Sequence, residues 1–176
     1  MELIAYTYLT LNSQAMDLVL IFNSIRDIPF RIPLSLEDKS IDCLTKHKML
    51  FDALTNEGHK ARFRICSFLW SDQKIPKEIL SIPHDDKCEH LYLEILLNDE
   101  WITLDATWDQ KLKNIMPTSE WDDKTNTKLA VTPIEIYPPD EGREVVHSAS
   151  EEAFLEDIRK SGKFYEALNN WLEENR

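Results

Sequence analysis

Hydrophobic and polar positions alternate along this chain in two periods, and each period marks a type of element. Residues 2–9, "ELIAYTYL", predict an initial strand, and Ala15, Leu18, Val19, Phe22 and Ile25 then recur at helical spacing until "DIPF" halts the helix. After the irregular "PFRIPLSLEDKS", a second helix is predicted from Cys43 to Glu57. Ser40 or Asp42 can cap its start, Leu50, Phe51 and Leu54 give it an apolar face, and Gly58 stands where a left-handed C-terminal residue is wanted. Cys43 therefore falls in the first turn.

Downstream the period shortens to two. "KARFRICSFLW" sets Ala61, Phe63 and Ile65 against Arg62, Arg64 and Cys66, the pattern of a half-exposed strand. After a polar connection over 71–87, strands are expected over 88–97 and 100–107. A two-residue loop at Asn98 and Asp99 pairs Leu97 with Glu100, Tyr92 with Asp105 and His90 with Thr107. "LAVTPIEIYPP" reads as a short extended segment ended by prolines, and the sequence from Ser150 as two C-terminal helices broken near Ser161 and Gly162. The fold class is α+β. Residues 1–137 form its main part, and a linker with a helical segment, 138–176, packs on the same domain.

The hairpin's parity is where chemistry enters. His90, Tyr92, Glu94, Thr103 and Asp105 share one face, on which His90 and Asp105 are diagonal neighbours roughly 7–8 Å apart at the backbone, within imidazole–carboxylate reach. A loop one residue longer or shorter would put them on opposite faces. A carboxylate on one imidazole nitrogen leaves the other free to take a proton from a nucleophile. Cys43 is the candidate nucleophile, because a helix N-terminus stabilises a thiolate through its dipole and unpaired N–H groups. Its backbone N–H is a natural oxyanion donor, and Gln14 and Asn23 are the side-chain amides on the preceding helix that can join it.

The segment "DCLTKHKMLFDALTNEGHKAR", followed by "HLYLEILLNDEWITLDATW", resembles the transglutaminase-like domain, in which a Cys opens a helix running to a Gly and an "AR" strand, and His and Asp follow on successive strands. The resemblance covers about residues 27–109, together with the upstream entry "IRDIPF" that begins at Ile25. It implies Cys43 as nucleophile, His90 as general base and then acid, and Asp105 as the residue that orients His90. It also implies a papain-like α+β fold, with the Cys helix packed against an antiparallel sheet. Leu44 stands where the calcium-regulated cross-linking enzymes carry Trp, and Ile41 and Asp42 where many members carry Gly. The expected activity is therefore that of a cysteine protease or amidase working through an acyl-thioester, with hydrolysis ahead of amine transfer and no cofactor or metal.

Two other readings compete. Cys43, His47, Cys88 and His90 are a set of four tetrahedral zinc ligands if both pairs face one ion. Alternatively the fold is a non-catalytic interaction module. Cys66, Cys88, His84 and His59 read as structural or surface positions, and Trp101 as a wall for a substrate groove. The net charge of −12 argues against nucleic acid and anionic membrane as partners, and the resemblance implies a protein, peptide or amide substrate. Three cysteines without CxxC spacing fit free thiols in a reducing cytoplasm, and "MDLVLIF" is too short and too interrupted for a signal peptide or span. Substrate identity and oligomeric state stay open.

Overall fold

The computed structural model describes residues 17–148 and 150–176, so the strand expected over 2–9 and the candidate Gln14 lie outside the described residues. Helix α1, Leu18–Arg26, starts where the Asp17 carboxylate accepts the Val19 N–H at 2.9 Å, and it buries Ile21, Phe22 and Ile25 along one stripe. Helix α2, Cys43–Asn56, is capped by Asp42, which accepts the Thr45 N–H at 2.9 Å. Of the two expected caps the structure uses this one. At the other end Gly58 takes φ +87°, while the Gly58 and His59 N–H groups close on the carbonyls of Thr55 and Leu54. This is a Schellman closure, and its left-handed residue suits a glycine.

Strands β1, Ala61–Leu69, β2, Lys87–Leu97, β3, Glu100–Leu104, and β4, Glu135–Ile136, form one antiparallel sheet in the order β3-β2-β1-β4. Asn98 and Asp99 both have positive φ, 50° and 67°, and Leu97 pairs with Glu100 as the loop length requires. The ladder then runs only to Leu93 opposite Leu104. The strand expected over 100–107 stops there because the next N–H, that of Asp105, donates to Thr127 Oγ1 at 2.8 Å. Tyr92 and His90 thus have no β3 partners, and His90 is paired on its other side with Cys66 of β1.

Both faces of the sheet are covered. Leu93, Ile95, Ile102 and Leu104 pack with Ile21, Phe22, Leu50 and Leu54 of α1 and α2. Cys66, Phe68 and Tyr92 join Phe30, Trp108 and residues of helix α5, Glu151–Glu174. That second cover corrects the half-exposed reading of β1, whose central Ile65, Cys66, Ser67 and Phe68 are all buried.

The C-terminal segment departs further from expectation. Helix α4, Pro139–Ser148, occupies the supposed linker. It lies so close to β1 that a Cβ on Gly142 would stand 2.6 Å from the Phe63 carbonyl oxygen. No break occurs at Ser161 and Gly162: α5 is continuous, with Ser150 as N-cap. An interior glycine costs about 1 kcal/mol, whereas burying each of Phe164, Leu168 and Leu172 gives about 1.5–3 kcal/mol, so packing outweighs the local signal. A short helix, α3, spans Lys77–Leu80 in the connection between β1 and β2. Among the described residues no helix is long and apolar enough to cross a membrane.

Candidate active site

The three residues singled out by the sequence come together. His90 Nε2 lies 2.7 Å from Asp105 Oδ2, with both side chains almost wholly buried. The Cys43 thiol is a second side-chain hydrogen-bond partner of His90, and Cys43 is half-buried in the first turn of α2. With Nε2 on the carboxylate, Nδ1 is the nitrogen left for exchange with sulfur. Burial works against a charged His90, yet the Asp105 carboxylate and the Cys43 sulfur overcome it and raise its pKa to about 10. Burial likewise opposes ionisation of Asp105, and His90 reverses this, holding the carboxyl well below the usual range. The stable charge state of this pair is a His90 imidazolium against the Asp105 carboxylate.

Asp105 is held by more than His90. Its Oδ2 also accepts the Ala130 N–H at 2.7 Å, and its Oδ1 accepts the Thr107 N–H at 3.1 Å and the Thr107 hydroxyl at 2.6 Å. Thr127 takes its backbone N–H, as described above. A carboxylate with this many donors is both fixed in orientation and kept ionised. Thr127 comes from a stretch without periodicity and Ala130 from the start of the segment read as extended, and no sequence signal tied either to Asp105.

Lys46 and His47 tie the nucleophile's helix to this assembly. His47 Nδ1 lies 2.7 Å from the Cys43 carbonyl oxygen, and its Nε2 accepts the Ala106 N–H at 3.0 Å. The two bonds require a neutral ring with its proton on Nδ1, and burial agrees by lowering the pKa to about 4. Lys46 Nζ donates to the carbonyls of Thr107 at 2.7 Å and Arg26 at 2.8 Å; burial lowers its pKa to about 7 against the pull of Asp109 and Asp105. Consecutive residues of α2 thus grip consecutive residues after β3. The signal was present in the sequence: Lys46 and His47 precede Leu50 and Leu54 on the buried stripe, where solvent-seeking side chains do not belong.

These bonds also correct the zinc reading. Both nitrogens of His47 are occupied, Nε2 of His90 faces Asp105, and among the described residues no group of three or more His, Cys, Asp or Glu is arranged to hold a metal. Asn23, the described amide offered for the oxyanion, does not line the cavity at Cys43. Nor does Trp101, whose ring instead lies 4.0 Å from the Arg62 guanidinium at the hairpin end. Cys66 is buried as expected, and burial pushes its pKa up to about 12. Cys88, read as structural or surface, stands in the cavity wall.

That cavity measures about 560 Å³ and opens on Cys43 and His90. Phe30, Phe68, Trp70 and Trp108 make its walls largely apolar. Trp108 is held by its indole N–H, which donates to the Ala130 carbonyl at 2.8 Å. Phe30 is held through its backbone: its N–H donates to Asp109 Oδ2 at 3.3 Å, and its carbonyl accepts Arg176 Nη2 at 2.5 Å. Compared with protein families, curated proteins and solved structures, the chain matches none.

Proposed function

We propose that this chain is a thiol enzyme of transglutaminase-like type, with a papain-like arrangement of helix and sheet, that cleaves a carboxamide or peptide bond. The observation that carries the reading is a single one: a cysteine at a helix N-terminus and a histidine bonded to a buried carboxylate open together onto one cavity.

In this reading the Cys43 thiolate attacks the carbonyl carbon, and the carbonyl oxygen takes the negative charge. The Cys43 N–H, in a helical turn that leaves such groups without internal partners, donates to that oxygen in this reading. The tetrahedral intermediate collapses with cleavage of the C–N bond, and the His90 imidazolium gives its proton to the leaving amine. Water then attacks the thioester as His90 takes one of its protons, which releases the carboxylic acid and restores the thiolate and the imidazolium. Asp105 keeps the same nitrogen of His90 engaged throughout and balances the imidazolium.

Hydrolysis is preferred over amine transfer because water needs no binding site of its own. The interaction-module alternative is weaker, since it gives no reason for a half-exposed cysteine in an open cavity. Iodoacetamide titration at pH 7, followed by peptide mapping, tests the proposal: Cys43 is expected to react first among the three cysteines, and the same modification to abolish amide hydrolysis. Equal or slower reaction of Cys43 than of Cys66 and Cys88 would sink it.

A further inference from the structure

The cavity beside Cys43 contains a charged group that the triad does not use. Asp157 of α5 lines it and accepts the Tyr165 hydroxyl at 3.0 Å on each carboxylate oxygen. Burial pushes the Asp157 pKa up, against that hydrogen bond. Among the described residues no lysine or arginine makes an ion pair with it; Lys160, one turn on, goes to Asp85 at 3.2 Å and Glu156 at 3.8 Å. Lys87 is the single lysine or arginine in the wall, against the carboxylates of Asp42, Glu89 and Asp157. Asp157, Cys88 and Cys43 line the same cavity.

A second observation is independent of charge. Trp70 lines the same cavity at 5% exposure, and its indole N–H has no acceptor among the described residues. A buried donor left unpaired is destabilising, and a ligand oxygen that reached it would relieve that cost. The Trp70 and Tyr165 rings, with centroids 6.4 Å apart, add aromatic faces of the sort that attract cations. A cation for the carboxylate, an oxygen for the indole and room of a few hundred cubic ångströms together describe a small ligand.

We propose that this end of the cavity is a subsite for an amino-acid amide or a peptide N-terminus, with the ammonium on Asp157 and a carbonyl oxygen at the Trp70 N–H. Only the naming of the ligand as substrate rests on the thiol-enzyme reading; the subsite itself stands on Asp157 and Trp70. The ammonium is held and not attacked upon, because a protonated amine has no lone pair to offer a thioester.

The test is calorimetric titration of the full chain carrying Cys43→Ala, so that nothing is turned over. Two probes share side chain and amide and differ at the α-nitrogen: L-phenylalaninamide at pH 6.5, where an α-amino group is protonated, and its uncharged N-acetyl derivative, with Asp157→Asn separating the effect of charge from that of the added acetyl group. The charged probe is expected to bind about tenfold more tightly, as one charged hydrogen bond would provide, and Asp157→Asn to erase the difference. Trp70→Phe is expected to weaken both probes alike. Equal affinities, tighter binding of the neutral probe, or no binding of either overturn the subsite, and none of these outcomes needs the Asp157 variant to fold. The thiol-enzyme reading fails separately, by an unreactive Cys43 in the unmodified chain, whatever the probes do.

Discussion

Two charged clusters share the His90 face of the β2–β3 hairpin. Near the turn, Glu94 accepts Arg62 Nε at 2.7 Å and Arg64 Nη1 at 2.5 Å, and Arg62 stacks on Trp101. At the far end, His90 meets Asp105. The first joins one carboxylate to two arginines, and Arg62 keeps a third of its side chain in solvent. An arginine does not give up its proton at accessible pH, so that cluster can neutralise and pack but cannot move protons. The second puts a titratable ring between a buried carboxylate and a sulfur that faces a cavity. Polar residues on one strand face therefore differ in role by what they can exchange and what stands next to them, more than by their charge.

The contrast can be broken most severely at His90. His90→Ala is expected to reduce amide hydrolysis on the order of 10³-fold, and to slow Cys43 alkylation at pH 7 by about tenfold or more. Asp105→Asn comes next: the His90 ring loses its countercharge, and alkylation is expected to slow about tenfold. It also leaves donors from Thr107 and Ala130 poorly matched, lowering stability by about 1–3 kcal/mol in chemical denaturation.

His47 sharpens the comparison through pH. Its folded-state pKa, about 4, lies below the ordinary value of 6.5, so between these values the unfolded chain binds more protons. Stability contributed by neutral His47 is present above pH 6.5 and lost as pH falls towards 4. His90, raised to about 10, acts oppositely and in another window: its contribution is complete below pH 6.5 and lost as pH climbs to 10. Denaturation midpoints measured from pH 4 to 6.5 should flatten in His47→Gln, while the alkaline decline persists. An unchanged acid limb would mean that the bridge from α2 to Ala106 is not sensed.

At the hairpin end the effects should be small and structural. Glu94→Gln is expected to cost about 1–2 kcal/mol of stability and leave the Cys43 alkylation rate within about twofold of the parent. Asp99→Gly, at φ +67°, should stabilise by about 0.5 kcal/mol through relief of a left-handed backbone, measured as a shift in denaturation midpoint.

Most of this site was legible because its signals are local. Asp42 before Cys43, Gly58 after the helix, and Asn98-Asp99 between alternating strands each act over a few residues, and capping or turn chemistry fixes them wherever the chain folds. The parity that puts His90 and Asp105 on one face follows from that turn alone. The strand end at Leu104, the single course of α5 through Gly162, and the hold of Thr127 and Ala130 on Asp105 were not legible. Each is decided by a partner 22 residues or more away in sequence, or by burial that outweighs a local preference.

The sequence by itself determined which residues lie at helix starts and on shared strand faces, since steric and hydrogen-bond rules of short range govern those. Only the tertiary structure decided that Lys46 and His47 lock α2 against residues 106 and 107, and that Asp157 and Trp70 from distant segments share the cavity of Cys43. Such placements come from packing two cores on opposite faces of one sheet, and no short stretch of chain carries that information.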